Sequence, residues 1–435
     1  MNHVVLPLTF EPDSDVEEAE DYQLGGFHPI AIGDCFCEGR YKVMHKLGFG
    51  GSSTVWLARD RYGAKPLVAL KALRADASPA CTDELSSLAI PKMLQTVLPS
   101  SINIVTIEDY FFVQGPNGSH MFLVSPLAGP PVVSMSCCPG RAAGSRRLRA
   151  DLARKAAKQT AMAIYHMHRA GVVHGDLTTS NVLFSLSPYV LRWSDQELYT
   201  NLGEPKTTLV PTYDGTPNSP QTQSARVVPI ANSRLTNASF LQESVVLGDF
   251  GQSYAVASPP SDYEPGTVIH YFSPEARFEN RAGLEADVWA LGCTIFEMRA
   301  GFPLFEVFFG SDIEVLVEIV SVLGRLPDPW WSAFEEHSKW FEENGEPRSQ
   351  QRMGLIQARK TSIRELIRSI GVGEERPTYA LDGPMIEKFG VRVDEREVEL
   401  LGDLLEKMMR YRPEERIKME EVIAHLWFAF TDSAL

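Results

Sequence analysis

The chain has 435 residues, 44% of them hydrophobic and 22% charged, a balance that fits one large globular domain or two packed lobes and excludes a disordered or fibrous chain. Lys and Arg number 41 against 56 acidic residues, a formal net charge of −15, which argues against nucleic acid as a direct ligand and favours a basic partner. The six cysteines match neither a zinc spacing nor a secreted disulfide framework, and no stretch has the apolar length of a bilayer span, so a soluble, non-membrane protein of a reducing compartment is expected.

Residues 1–26 read as an acidic N-terminal tail, whose run EPDSDVEEAEDY is expected to be solvated and without catalytic role. From Tyr41 the stretches YKVMHKL, STVWLAR and LVALKAL, separated by FGGS and DRYGAKP, predict three sequential antiparallel strands. A helix is expected over Thr82–Leu94, broken or ended near Pro91, and β-like runs follow at Ile104–Val113 and Met121–Val124. After the Pro/Gly-rich link LAGPPVVSMSCCPG, Leu148, Leu152, Ala156, Ala163 and Met167 recur near the helical period, with Gly171 placed as a C-terminal cap. Helices are also expected at Leu284–Ala300, Asp312–Leu323, Ser362–Ile370, Glu395–Arg410 and Lys418–Phe430. The stretch between Leu183 and Leu247 is rich in Thr, Pro, Asn, Gln and Ser and reads as a partly disordered insertion. A small β lobe followed by a larger α lobe implies a cleft between them.

Four groups of residues carry chemistry. Gly48, Gly50 and Gly51 lie between the first two strands, where backbone N–H groups could close over phosphate oxygens; alone this is most often a plain turn, and Ser53 stands where a third glycine is usual. Lys71 on the third strand can reach α- and β-phosphates, and Glu84 is placed to pair with it. His174-Gly175-Asp176 is followed by Asn181 on the same loop: Asp176 can orient an attacking hydroxyl while Asn181 offers an oxygen to Mg²⁺. Asp249-Phe250-Gly251 adds a second hard oxygen ligand. Each fragment alone is more often a turn-capping loop, but the ordered set is not.

That set resembles the signature of the eukaryotic protein kinases. Ser273-Pro274-Glu275, Asp287-Val288-Trp289-Ala290-Leu291-Gly292 and Arg416 after RYRPEE extend the likeness, which implies an ion pair between Glu275 and Arg416. Glu20-Asp21-Tyr22, Gly25-Gly26, His28-Pro29, Ile32-Gly33-Asp34, Arg40-Tyr41 and Ser53-Thr54-Val55-Trp56-Leu57 resemble the serine/arginine-rich splicing factor protein kinases, and Trp193-Ser194-Asp195 with the HGD loop resembles their fungal-type members. The resemblance implies an α+β bilobal protein-kinase fold over 27–428. Its small, mainly β N-lobe with one helix would be 27–128, its larger, mainly α C-lobe 129–184 and 247–428, with a spacer-like insertion at 185–246, a C-terminal tail at 429–435 and ATP in the cleft. It also implies ATP contacts from Leu47, Gly48, Phe49, Gly50, Gly51, Ser52, Ser53, Val55, Ala69, Lys71, Ser125, Pro126 and Ala128, catalysis by Asp176, Lys71 and Glu84, and Mg²⁺ on Asn181 and Asp249. The implied partner is a basic Arg/Ser-rich protein phosphorylated by a monomer in cytoplasm and nucleus.

Four departures qualify that implication. Gly175 replaces the arginine common before the catalytic aspartate, so activity without activation-loop phosphorylation is expected. Thr178 stands where a γ-phosphate lysine is usual, and Ser125 is a small residue behind the adenine. Asp312, Glu314 and Glu318 are candidate docking acids, with Ser321 in place of a family acid. Two alternatives stand beside the kinase reading: a pseudokinase serving as a binding module, and a small-molecule phosphotransferase with an HGD loop.

Overall fold

The structure is a computed structural model. It describes residues 16–79, 85–97, 103–136, 146–208, 226–228, 232–261, 263–264, 266–307, 310–348, 352–353, 356–374 and 383–431. The chain divides into two compact units: Met1–Thr82 with Ile107–Leu127 and Pro188–Leu235, and Asp83–Thr106 with Ala128–Ser187 and Thr236–Leu435.

The first unit is built on a six-stranded antiparallel sheet. Its strands are β1 (Cys35–Phe36), β2 (Tyr41–Gly50), β3 (Ser53–Asp60), β4 (Leu67–Leu73), β5 (Asp109–Gly115) and β6 (Gly118–Pro126), in the order β1-β2-β3-β4-β6-β5. Alternation decides which face is buried: Trp56 and Ala58 of β3, Val68, Leu70 and Ala72 of β4, and Phe122 and Val124 of β6 form one core with Tyr41 and Val43. Each large side chain removed from water there contributes about 1.5–3 kcal/mol.

The acidic N-terminal segment departs from its expected solvation where the structure describes it. Glu17 is buried and pairs with the equally buried Lys46, whose ammonium also lies 5.6 Å from the Trp56 ring centroid. Tyr22 and Phe27 are buried as well. Gly25 N donates to Asn117 O, and Asp76 N and Ala75 N donate to Gly25 O and Gly26 O, at 2.8, 2.8 and 3.0 Å. The reason is local: a lysine drawn inside the sheet requires a carboxylate, and one of the acids in the run supplies it. Gly26 has no alternative, since an added Cβ would lie 1.9 Å from Asp21 O.

The expected insertion also contains core elements. Strand Val182–Leu186 pairs antiparallel with Leu241–Leu247, so both edges of the 185–246 stretch belong to a hairpin of the second unit. Helix Asp195–Leu202 starts with a capping box between Ser194 and Glu197 and buries Leu198 and Leu202. Within the first unit it is fastened to the sheet by Arg59, which donates to Asp195 at 2.5 Å and to Trp193 O at 2.7 Å.

The second unit is mainly helical, as expected. Helix Leu284–Ala300 is buried along nearly its whole length, and Ala150–Arg169 and Glu395–Met408 are its other long helices. Helix Ser86–Val97 belongs to this unit and runs through Pro91 instead of ending there. Its connection explains the grouping: Asn103 Nδ2 donates to Val245 O at 2.6 Å, and Val105 N and Leu247 O are 2.8 Å apart. The last expected helix is split into Met419–Ile423 and a 3-10 turn Leu426–Ala429. Among the described residues no helix is long and apolar enough to cross a membrane.

Candidate active site

In the first unit the strand register gathers the nucleotide candidates. Lys71 on β4 lies opposite Val55 on β3 and Leu123 on β6, while Ala69 lies opposite Leu57 and Ser125. Directly opposed residues point to the same side of a sheet and successive residues alternate. Val55, Ala69, Lys71 and Ser125 therefore share one face, the reverse of the buried Val68–Leu70–Ala72 face. Leu47 falls at the irregularity between Lys46 and Gly48. Phe49 is 40% exposed, Gly51 and Ser52 form the tip of the β2–β3 turn, and Gly50 pairs with Ser53. Ser53 is drawn into the sheet, buried opposite Leu73, so it is no part of the exposed tip. No atom of the described residues lies within 4 Å of a Cβ added to Gly48, Gly50 or Gly51, so packing among those residues does not require these glycines. Pro126 ends β6, and with Ala128 the chain returns to the second unit. Glu84 lies outside the described residues.

In the second unit the loop after strand Val172–Val173 carries Asp176. Asn181 Nδ2 donates to Asp176 O at 2.7 Å and to its Oδ2 at 2.8 Å, which ties the two together and leaves the Asn181 carboxamide oxygen as an acceptor. Burial raises the Asp176 carboxyl and the nearby Asp249 adds to this, against the Thr267 hydroxyl, Asn181 and His174, which lower it. Asp249 is exposed and its backbone is left-handed, with φ 55°. Its Oδ1 accepts Gly251 N at 3.2 Å. An exposed carboxylate and a carboxamide oxygen, each related to Asp176, are the hard donors that Mg²⁺ accepts alongside water and phosphate oxygens, so these residue types fit that ion.

The frame holding this loop is a set of buried hydrogen bonds. Asp287, on the central helix, accepts His174 N at 2.8 Å, Gly175 N at 3.0 Å and His168 Nε2 at 3.0 Å. Burial alone would raise its carboxyl, but these donors bring it below the usual carboxylate range. His174 contacts Gly248 O at 3.1 Å and the Phe250 ring at 5.5 Å, which links the loop to the Asp249 turn. Gly175 has φ +80°, and a Cβ there would sit 2.5 Å from Gln252 O. The departure from arginine is therefore built into the backbone.

Nearby, Thr178 is buried and Thr179 donates to Glu297 at 3.0 Å, with Tyr271 donating to the same carboxylate. The Glu275–Arg416 pair forms as expected: both sides are buried and Arg416 reaches the two carboxylate oxygens at 2.7 and 2.6 Å. Sequence reasoning missed Thr267, whose hydroxyl acts on the Asp176 carboxyl, because a lone threonine in that stretch carries no signal of its own.

The proposed docking acids are engaged within the chain. Asp312 pairs with Arg277, Glu318 with Arg359 at 3.3 Å, and Glu314 is buried in a capping box with Ser311. Ser321 accepts Arg359 N at 3.2 Å. These acids serve the helix's own N-terminus and neighbouring arginines, while the Asp312 side chain stays 56% exposed.

A family model of the protein kinase domain matches residues 41–219 and 236–428. The chain is 25% identical over 436 residues to the serine/threonine-protein kinase SRPK of Physarum polycephalum, covering 96% of this chain and 92% of that one. It is 36% identical over 199 residues to protein kinase dsk1 of Schizosaccharomyces pombe, covering 45% of this chain and 34% of that one. With SRSF protein kinase 3 of Homo sapiens it shares 29% over 183 residues, covering 41% and 31%.

Proposed function

The chain belongs to the protein kinase family, and from that premise we propose that it transfers the γ-phosphoryl group of ATP to serine, and to threonine, in Arg/Ser-rich proteins. The observation that carries this reading is Asp176 locked to Asn181 with Asp249 close enough to act on its charge. The serine oxygen forms the new bond to phosphorus, the bond to the departing diphosphate oxygen breaks, and the hydroxyl proton passes to Asp176. Lys71 would hold the α- and β-phosphates, and Asn181 and Asp249 would hold the metal. When bound, Mg²⁺ supplies charge neutralisation at the phosphates. Positioning and fixed charge, rather than a covalent enzyme intermediate, do the work. The net charge of −15 favours a cationic substrate.

The test is a transfer assay with labelled ATP, Mg²⁺ and an Arg-Ser repeat peptide beside a generic basic protein. Preferential labelling of the Arg-Ser peptide is expected. Failure on both substrates with ATP still bound would instead support a binding module.

Gly175 offers no cation for a phosphorylated activation segment to neutralise, and the strained position leaves no room for one. Phosphatase-treated protein is accordingly expected to keep most of its activity. Near-complete loss on treatment, reversed by incubation with ATP, would disprove phosphorylation-independent activity.

A further inference from the structure

Within the second unit, the start of helix Ala150–Arg169, the end of helix Leu284–Ala300, the region around Asp394 and the stretch ending at Thr431 surround a cavity of about 820 Å³. Six cationic and four acidic side chains line it, in a chain whose net charge is −15. The local charge thus opposes that of the molecule.

The acids are already occupied. Buried Glu397 is shared between Arg154 at 2.9 Å and Arg299 at 3.0 and 2.9 Å, and it also accepts Trp427 Nε1. Glu387 accepts Ala150 N at 3.2 Å, Asp394 caps its helix on Arg396 N at 2.7 Å, and Asp151 is held by Arg149.

Cationic groups are left over. Lys155 and Lys158 are exposed one turn apart on their helix, Arg392 is exposed nearby in the lining, and none has a carboxylate within ion-pair distance among the described residues. Arg299 supplies an independent sign: it lines the cavity and its side chain is 2% exposed, yet its Nη1 has no acceptor among the described residues. A buried donor left unpaired is costly unless something outside the chain satisfies it. Arg147 is buried close by, paired with Glu374 and Val391 O but with its Nε unpartnered among the described residues; burial, and after it the Arg299 charge, bring its guanidinium down to about 10. Two helix N-termini, at Arg149–Asp151 and at Asp394, add their positive ends.

We propose that this cavity binds a compact small molecule carrying clustered phosphate groups, held by the exposed Lys155, Lys158 and Arg392 together with buried Arg299. Its volume is in the range of small-molecule pockets, and several separate cations suit several phosphates better than one. The proposal does not depend on the substrate of the kinase reaction.

The test is calorimetric titration of the full chain with myo-inositol hexakisphosphate, and separately with inorganic phosphate, in saturating ADP to occupy the nucleotide site. One hexakisphosphate per chain is expected, bound at least tenfold more tightly than inorganic phosphate. Lys155→Gln/Lys158→Gln and, independently, Arg392→Gln should each weaken it at least tenfold with unchanged thermal midpoint, while Lys71→Met leaves it intact. The proposal is overturned by absence of saturable binding, by equal affinity in these variants, by loss in Lys71→Met alone, or by a phosphoserine peptide binding where the hexakisphosphate does not.

Discussion

Asp176→Asn should lower kcat on an Arg-Ser peptide by roughly 10²–10⁴-fold, the range typical for removal of a general base, and should raise the thermal midpoint. The carboxyl of Asp176 is held above its ordinary range by burial first and by Asp249 second. A carboxyl whose folded pKa is raised favours its protonated form in the folded state. Its stabilising contribution is present below the unfolded pKa and is lost as pH rises through the folded value, so at neutral pH the ionised group opposes folding. Asparagine removes that charge at nearly constant shape. The wild-type kcat should fall as pH drops through the same raised value, because the base is then protonated. Transfer assays across pH, paired with differential scanning calorimetry of both proteins, measure all three effects; a variant that is both active and less stable would contradict the assignment.

Arg416→Ala should cost about 3–5 kcal/mol, the usual penalty for stranding one partner of a buried ion pair. The pair with Glu275 is almost wholly removed from water. Arg416 also donates to the carbonyls of Arg410, Tyr411 and Glu285, at 2.9, 3.1 and 2.7 Å, and lies 5.2 Å from the Trp289 ring centroid. Removing it leaves a buried carboxylate and three carbonyls without their donor. Glu275→Leu combined with Arg416→Met removes both charges and should recover part of the loss. Urea denaturation followed by intrinsic fluorescence tests this. A double replacement no more stable than Arg416→Ala would show that the carbonyl contacts, rather than the stranded charge, dominate.

Much of this molecule was readable where chemistry depends on residue type at fixed spacing. Asp176 and Asn181 share a loop five positions apart, and LVALKAL read as a strand put Lys71 where it could reach phosphates, while the face it shares with Ala69 came only with the register. The Glu275–Arg416 pair was legible only through family likeness, since 141 residues separate its members. What stayed hidden depended on partners far away in the chain. Glu17 looked like one more solvated acid because nothing local announces that Lys46 is buried. Helix Asp195–Leu202 was obscured by polar neighbours, although Ser194 and Glu197 spell out a capping box. Asp312, Glu314 and Glu318 appeared available for a partner, because sequence shows charge but not what already neutralises it.

Gly175 has a consequence for descent. A single codon change toward arginine would meet the Gln252 carbonyl and a left-handed backbone at once, so a lineage with this glycine does not reach arginine here in one viable step. Such a position behaves as an evolutionary ratchet, open to glycine and closed to every side chain that would need the space of the Gln252 carbonyl.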